Sequence, residues 1–251
     1  MCGRFTLHIS PRVLSEHFLL EKVPPIEARY NIAPTQGILS IREDRDKGRR
    51  TAVPVTWGLV PSWARDVGIG NKLINARAET AREKPAFRSA YRHRRCLIPA
   101  SGFYEWRKEP TGRQPFWIHP KAADRPLAMA GLWEHWSSPD GSEIESATIL
   151  TTEANGFMAG IHHRMPVFLQ PADYATWLEP ETRLDVETYA RLTAPAPENL
   201  LTAHPVARSV GSPRNDDPSL IEPVDTDVPP LRKADLKGES RWQGPRQQEL
   251  F

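Results

Sequence analysis

Cys2 stands directly behind Met1 in the opening MCGRFTLH, and it is one of two cysteines in 251 residues. An initiator methionine is generally removed ahead of a small side chain. Removal would leave Cys2 with a free α-amine beside its thiol. The reference pKa values of these groups are about 8 and about 8.5, so both are partly nucleophilic near neutrality. A 1,2-aminothiol of this kind reacts with an aldehyde in two steps. The amine condenses to an imine with loss of water, and the thiol then adds across the imine to close a five-membered thiazolidine. An internal cysteine, whose nitrogen is an amide, has no such route. The position therefore points to a covalent catalyst acting on a carbonyl, although taken alone it also fits a terminal cysteine with no role. Gly3 allows close backbone approach. Arg4 sets a permanent cation beside the nucleophile, which favours thiolate and can hold a phosphate.

Three further polar segments sit within apolar sequence. In LINARAET, Asn75 can hydrogen-bond a sugar or an amine and Arg77 can pair with a phosphate. The same stretch also fits a turn capped by Thr80. In SGFYEWRK, Glu105 lies between aromatics in strand-like sequence. Burial there would raise its pKa and suit it to proton transfer, or else it is a paired structural carboxylate. In GIHHRMP, a strand would send His162 and His163 to opposite faces, so at most one of them faces a common site. A histidine suits proton shuttling near pH 7, and Arg164 adds an anion contact. The pair lacks the ligand spacing of a zinc site. Cys96, in the apolar run CLIP, reads as core.

These residues need a scaffold of short elements. Runs rich in Val, Ile, Trp, Phe and Thr recur between Pro and Gly: TAVPVTWGLV, RCLIPASGFYEW, PFWIHP, LAMAGLWEHW, SATILTT and RMPVFLQ. Helix signals are fewer. Ser10-Pro11 opens one, with Leu14 and Phe18 four apart. Gln170-Pro171 opens another, with Tyr174, Trp177 and Leu178 on one face, and a third spans Asp185 to Leu192. The sum is α+β: a single compact domain with a mostly antiparallel, β-rich, barrel-like core and peripheral short helices. The stretch IREDRDKGRR is charged at every position except Ile41 and Gly48 and reads as a solvated hairpin loop. The domain is expected over 2–224. Asp225 to Phe251, polar with few apolar anchors, reads as a flexible tail.

The bulk numbers fit this picture. A net charge of +2 argues for no class of partner by itself. Two cysteines do not make a secreted disulfide framework, so a reducing cytosol is expected. The sequence shows neither a signal-peptide pattern nor an apolar run long enough to span a membrane. From Arg77 to Arg95, seven Arg or Lys face two Glu, a charge excess suited to tracking a single strand. It also fits a solvated basic helix.

MCGRF, YNIAP at 30–34, WGLVPSW at 57–63, INARAET at 74–80, GFYEW at 102–106, IHHRMP at 161–166 and HPVARSVG at 204–211 together resemble the SOS-response-associated peptidase family. Members crosslink to abasic sites in single-stranded DNA. The resemblance implies a compact α+β domain, no cofactor, a DNA channel leading to the N-terminal cysteine, and a thiazolidine joining that cysteine to the ring-opened abasic sugar. It implies that Cys2 is the nucleophile, that Asn75 orients sugar and amine, that Glu105 moves the protons of Schiff-base formation, and that His162 assists ring opening and reversal. Arg4, Asn31, Arg77 and Arg164 would grip phosphates, while Trp63 and Pro34 would splay flanking bases. The family name implies a peptidase step, most simply self-removal of Met1. One departure is His163, where the family often carries an acid. An abasic nucleotide also lacks the base that would bar a narrow pocket.

The chain ends QQELF, which resembles the peptide that bacterial repair proteins insert into the sliding clamp, with Leu250 and Phe251 filling an apolar pocket and Gln247 at its rim. The expected partners are abasic single-stranded DNA and, through the tail, the clamp. The protein is expected to be a cytoplasmic, nucleoid-associated monomer. Two rival readings remain at this stage: a thiol peptidase acting on other proteins, and a non-covalent reader of damaged DNA.

Overall fold

The computed structural model describes residues 2–44, 48–110, 112–122, 125–179 and 183–226. The clamp-peptide residues Gln247, Leu250 and Phe251 lie outside the described residues. In chain order the strands are β1 (Phe5–Leu7), β2 (Arg29–Ile32), β3 (Gly37–Asp44), β4 (Arg49–Trp57), β5 (Asn75–Arg77), β6 (Arg95–Ala100), β7 (Gly102–Glu109), β8 (Gly112–Pro120), β9 (Leu127–Ser137), β10 (Glu143–Glu153), β11 (Arg164–Pro166) and β12 (Leu201–Pro205). The helices are α1 (Pro11–Phe18), α2 (Ala78–Ala81), α3 (Arg88–His93), α4 (Gly156–Ala159), α5 (Tyr174–Leu178) and α6 (Val186–Leu192).

Five strands close on themselves. β4 pairs with β3, β3 with β6, β6 with β9 and β9 with β10, all antiparallel; β10 then returns to β4 by a parallel joint at Ser146↔Thr56 and Ala147↔Trp57. The ring removes free edges from these strands. A second sheet, ordered β12-β8-β7-β1-β2, packs against it. Phe5 of that sheet meets Trp57 edge-on at 5.1 Å, and Phe103 meets Phe168 at 5.8 Å. The chain passes from β6 in the barrel to β7 in the second sheet across Ser101 alone. Gly102 opens β7 because a Cβ there would lie 2.6 Å from Trp117 Nε1 and 2.8 Å from the Ile118 carbonyl. The domain is thus α+β, with an antiparallel-rich barrel and short outer helices. Among the described residues no helix is long and apolar enough to cross a membrane.

The three helices expected from the sequence form. The Ser10 side chain accepts from Val13 N–H at the start of α1, and Leu14 and Phe18 are fully buried, each contributing about 1.5–3 kcal/mol. Asp185 caps α6 by accepting from Thr188 N–H at 2.7 Å. Pro171 opens a 3-10 turn that leads into α5, with Tyr174, Trp177 and Leu178 buried. Two local expectations are corrected. Thr80 lies inside α2 rather than capping it. The charged stretch 41–50 is mostly strand: Arg42 is buried, its guanidinium 3.6 Å from the Trp133 ring centroid and 2.8 Å from Glu145, so a carboxylate and an aromatic face satisfy the charge that composition assigned to solvent. Arg45, Asp46 and Lys47 fall outside the described residues.

Candidate active site

β1 lies between β7 and β2, and this places the N-terminus. Its register with β7 runs Phe5↔Phe103 and Thr6↔Gly102, and Tyr104 N–H donates to the Arg4 carbonyl at 2.9 Å. The same register carried outward sets Gly3 opposite Glu105. Cys2 is 1% exposed and Glu105 is 4% exposed. From the other sheet, Asn75 donates its Nδ2–H to the Cys2 carbonyl at 2.8 Å. Asn75 Oδ1 is buried and has no hydrogen-bond partner among the described residues. The Cys2 S–H donates to the Arg4 carbonyl at 3.9 Å.

The thiol is not activated in the way Arg4 suggested. Burial, and then the Glu105 carboxylate, hold the Cys2 pKa far above the usual thiol range, against a smaller opposing pull from a backbone hydrogen bond with Arg4. At neutral pH it is a protonated thiol. The Arg4 guanidinium points elsewhere: Nη1 donates to Asn31 Oδ1 and the Val210 carbonyl, both at 2.8 Å, and Nη2 donates to the Gly211 carbonyl at 3.0 Å.

Asn75 owes its position to β10. One edge of that strand pairs with β9 and then, at Thr151–Glu153, with β11; the other pairs with β4 and then with β5, which matches Ile149↔Asn75 and Thr151↔Arg77. The last residues of β10 are therefore flanked by Arg77 on one side and Arg164 on the other. A bidentate ion pair ties them further: Arg164 Nη1 and Nη2 donate to Glu79 Oε1 and Oε2 at 2.6 and 2.9 Å, and Nη2 also donates to the Thr151 carbonyl at 2.6 Å. Arg164 is buried and Arg77 is exposed.

His162 and His163 do not alternate across a strand. They lie in the turn between α4 and β11, and their rings stack with centroids 4.3 Å apart. His162 Nδ1 accepts from Arg164 N–H at 3.0 Å, which in the neutral ring leaves the proton on Nε2. Burial, then His162 and the Arg164 and Arg77 cations, lower the His163 pKa, so His163 is neutral at pH 7.

The remaining expected residues divide. Trp63 is 59% exposed, its indole N–H reaching the Pro85 carbonyl at 3.4 Å, and Pro34 is half-buried. Both offer surface. Asn31 is fully buried: Nδ2 donates to the carbonyls of Val210, Ser212 and Asn215 at 3.2, 2.9 and 2.7 Å. Both its amide hydrogens are committed inside the protein, to the segment 206–224. Sequence reasoning passed over the residues that fasten this segment. Asp216 accepts from Asn31 N–H at 2.9 Å and from the Arg29 guanidinium, and the Tyr104 hydroxyl reaches the Leu220 carbonyl at 3.4 Å. Among the described residues no cluster of three His, Cys, Asp or Glu converges as for a metal.

Comparisons with known proteins bear on the family and the fold. The family model described as SOS response associated peptidase matches residues 1–213. Abasic site processing protein YoqW of Bacillus subtilis is 41% identical over 226 residues, 88% of this chain and 99% of that protein. Abasic site processing protein YedK of Escherichia coli is 34% identical over 234 residues, 89% of this chain and all of that protein. A crystal structure of a protein from Bacteroides thetaiotaomicron superposes with a TM-score of 0.79 at 25% identity, covering 89% of this chain and all of that one.

Proposed function

Because the chain belongs to the SOS response associated peptidase family, we propose that it captures abasic sites in single-stranded DNA, joining Cys2 to the exposed sugar aldehyde as a thiazolidine once Met1 has been removed. The Asn75–Cys2 contact carries this reading. Asn75 fixes the Cys2 backbone through Nδ2 and keeps a buried Oδ1 unpartnered among the described residues, as is needed to accept a hydrogen bond from a newly freed α-amine.

The steps follow from the groups at hand. Glu105 takes a proton from the ammonium and frees the amine lone pair. The amine adds to the aldehyde carbon, the carbinolamine loses water, and an imine forms. The Cys2 sulfur then adds to the imine carbon while its proton passes, by way of Glu105, to the nitrogen. One water leaves in all, and no oxidant or reductant is required. His162, with Nδ1 engaged by the Arg164 N–H, presents Nε2–H to the sugar oxygens and assists ring opening and reversal. Arg77 offers an exposed cation to a flanking phosphate, and Trp63 a face for a flanking base. Arg4 and Arg164 shape the pocket from within.

Intact-mass spectrometry on protein incubated with an abasic oligonucleotide tests the reading. The expected product is one adduct at the summed mass less one water, stable to denaturation and lost in Cys2→Ala. An undiminished adduct in Cys2→Ala, or binding without any mass shift, overturns it.

A further inference from the structure

On the far side of the Glu79–Arg164 pair lies a cleft of about 980 Å³ between α2, α3 and α6. Arg82, Arg88, Arg92 and Arg183 line it, with Tyr189 in its wall. None of these four arginines has a carboxylate partner among the described residues. Arg82 is instead held over aromatic rings, its guanidinium carbon 5.1 Å from the Tyr189 centroid and 5.7 Å from that of Tyr91. The cleft also contains Glu79, Glu83 and Glu153. Glu79 is neutralised by Arg164, so four cations face two free acids and the cleft keeps a positive excess.

Its position is as informative as its charge. Glu79 belongs at once to the cleft wall and to the ion pair with Arg164, whose backbone N–H holds His162. It is four residues along the chain from Asn75, hence at most roughly 14 Å from it. Thr152 and Glu153, the β10 residues paired with β11, form the floor between the two. A strand whose lesion sits at Cys2 can therefore reach the cleft without leaving the surface.

We propose that this cleft is a second subsite that takes the phosphodiester backbone of the same single strand on one side of the lesion. Arg88, Arg92 and Arg183 meet successive phosphates, while Arg82, backed by the buried Tyr189 ring, is a fixed cation between them. The charge that the sequence holds between 77 and 95 is thereby divided by function. Arg94 is consumed by Glu134 and Arg95 by the carbonyls closing α5, whereas Arg82, Arg88 and Arg92 are left for a ligand. This inference rests on the capture reading for its choice of strand but not for its measurement.

The test compares the parent protein with the triple variant Arg88→Gln, Arg92→Gln, Arg183→Gln, all exposed positions outside the Cys2 pocket. Oligonucleotides carry an abasic site with about two nucleotides on each side, or with one side extended to about ten. Binding is followed by anisotropy across a salt series, and the series is repeated on intact strands without a lesion. The parent is expected to bind the extended strand at least about tenfold tighter for one of the two polarities. The variant should lose that gain, and its salt slope should fall by about 2, the value for three phosphate contacts on a single strand. On the short strand the two proteins should form adduct equally. Equal length gain and equal slope in parent and variant overturn the subsite, on lesion and intact strands alike. Absence of adduct on the short strand, with the length gain preserved, overturns the capture reading alone.

Discussion

Asn31→Ala isolates the contact that locks the segment 206–224 onto the second sheet. The side chain makes four hydrogen bonds: one accepted from Arg4 and three donated to the carbonyls of Val210, Ser212 and Asn215. Alanine removes all four. The Val210 carbonyl keeps Arg4 as a donor, but Ser212 and Asn215 lose the Asn31 donor. Two neutral bonds at about 1 kcal/mol each, plus a weakened charged bond from Arg4, give a loss of about 3 kcal/mol. For a chain of this length that is a fall in Tm of roughly 6–12 °C if the whole domain shares it. If only the segment opens, the loss is local and hydrogen exchange at 208–221 accelerates by about two decades. Calorimetry and exchange mass spectrometry measured together distinguish the two cases. Asn31→Asp should be at least as damaging, since it keeps the acceptor for Arg4 but turns a carboxylate toward three carbonyls. A Tm within about 2 °C of the parent, with exchange at 208–221 unchanged, refutes the claim that Asn31 works inside the protein.

Two further outcomes follow from the site. The Cys2 thiol, held up by burial and Glu105, should resist iodoacetamide at pH 7–8 and react only as the pH rises well past the free-thiol value, whereas Glu105→Gln should shift the alkylation profile to lower pH; a profile centred on about 8.5 in the parent disproves the assigned ionisation. Trp63→Ala should leave the Tm within about 1 °C, because the side chain is largely exposed, yet weaken single-strand binding by about 1–3 kcal/mol in a titration, and a change in Tm without loss of binding would return Trp63 to the structure.

What could be read from the sequence was what is locally encoded. Ser10-Pro11 with Leu14 and Phe18, and Asp185 ahead of Tyr189 and Leu192, specify their helices within one or two turns. The strand runs were likewise visible as β-branched and aromatic stretches. The closure of the barrel was not, because the parallel joint of Ser146 with Thr56 links segments some ninety residues apart and leaves no local mark. The same limit explains Arg42, whose partners Trp133 and Glu145 are remote in sequence, and Asn31, whose three acceptors lie nearly two hundred residues on. The types Cys2, Asn75, Glu105 and His162 were legible as chemistry. The elements that carry them are foreseeable only in part: local sequence suggests a strand for the histidine pair, whereas the turn that holds it depends on the Arg164 N–H and the end of β10.

The most consequential remote effect is on the sulfur itself. A cysteine beside an arginine suggests a ready thiolate, but Arg4 gives its guanidinium to Asn31 and the 210–211 carbonyls, while burial and Glu105 keep the proton on Cys2. A protonated, buried thiol is a poor first nucleophile toward the many electrophiles in a cell. Under the proposed function this imposes an order: the amine must condense first, and only the resulting imine brings an electrophilic carbon within reach of the sulfur. Glu105 serves both stages, because the carboxylate that suppresses free thiolate is also a base able to take the thiol proton when the imine arrives. Selectivity then rests on an aldehyde small enough to enter, and the same charge that silences the cysteine beforehand drives ring closure afterwards.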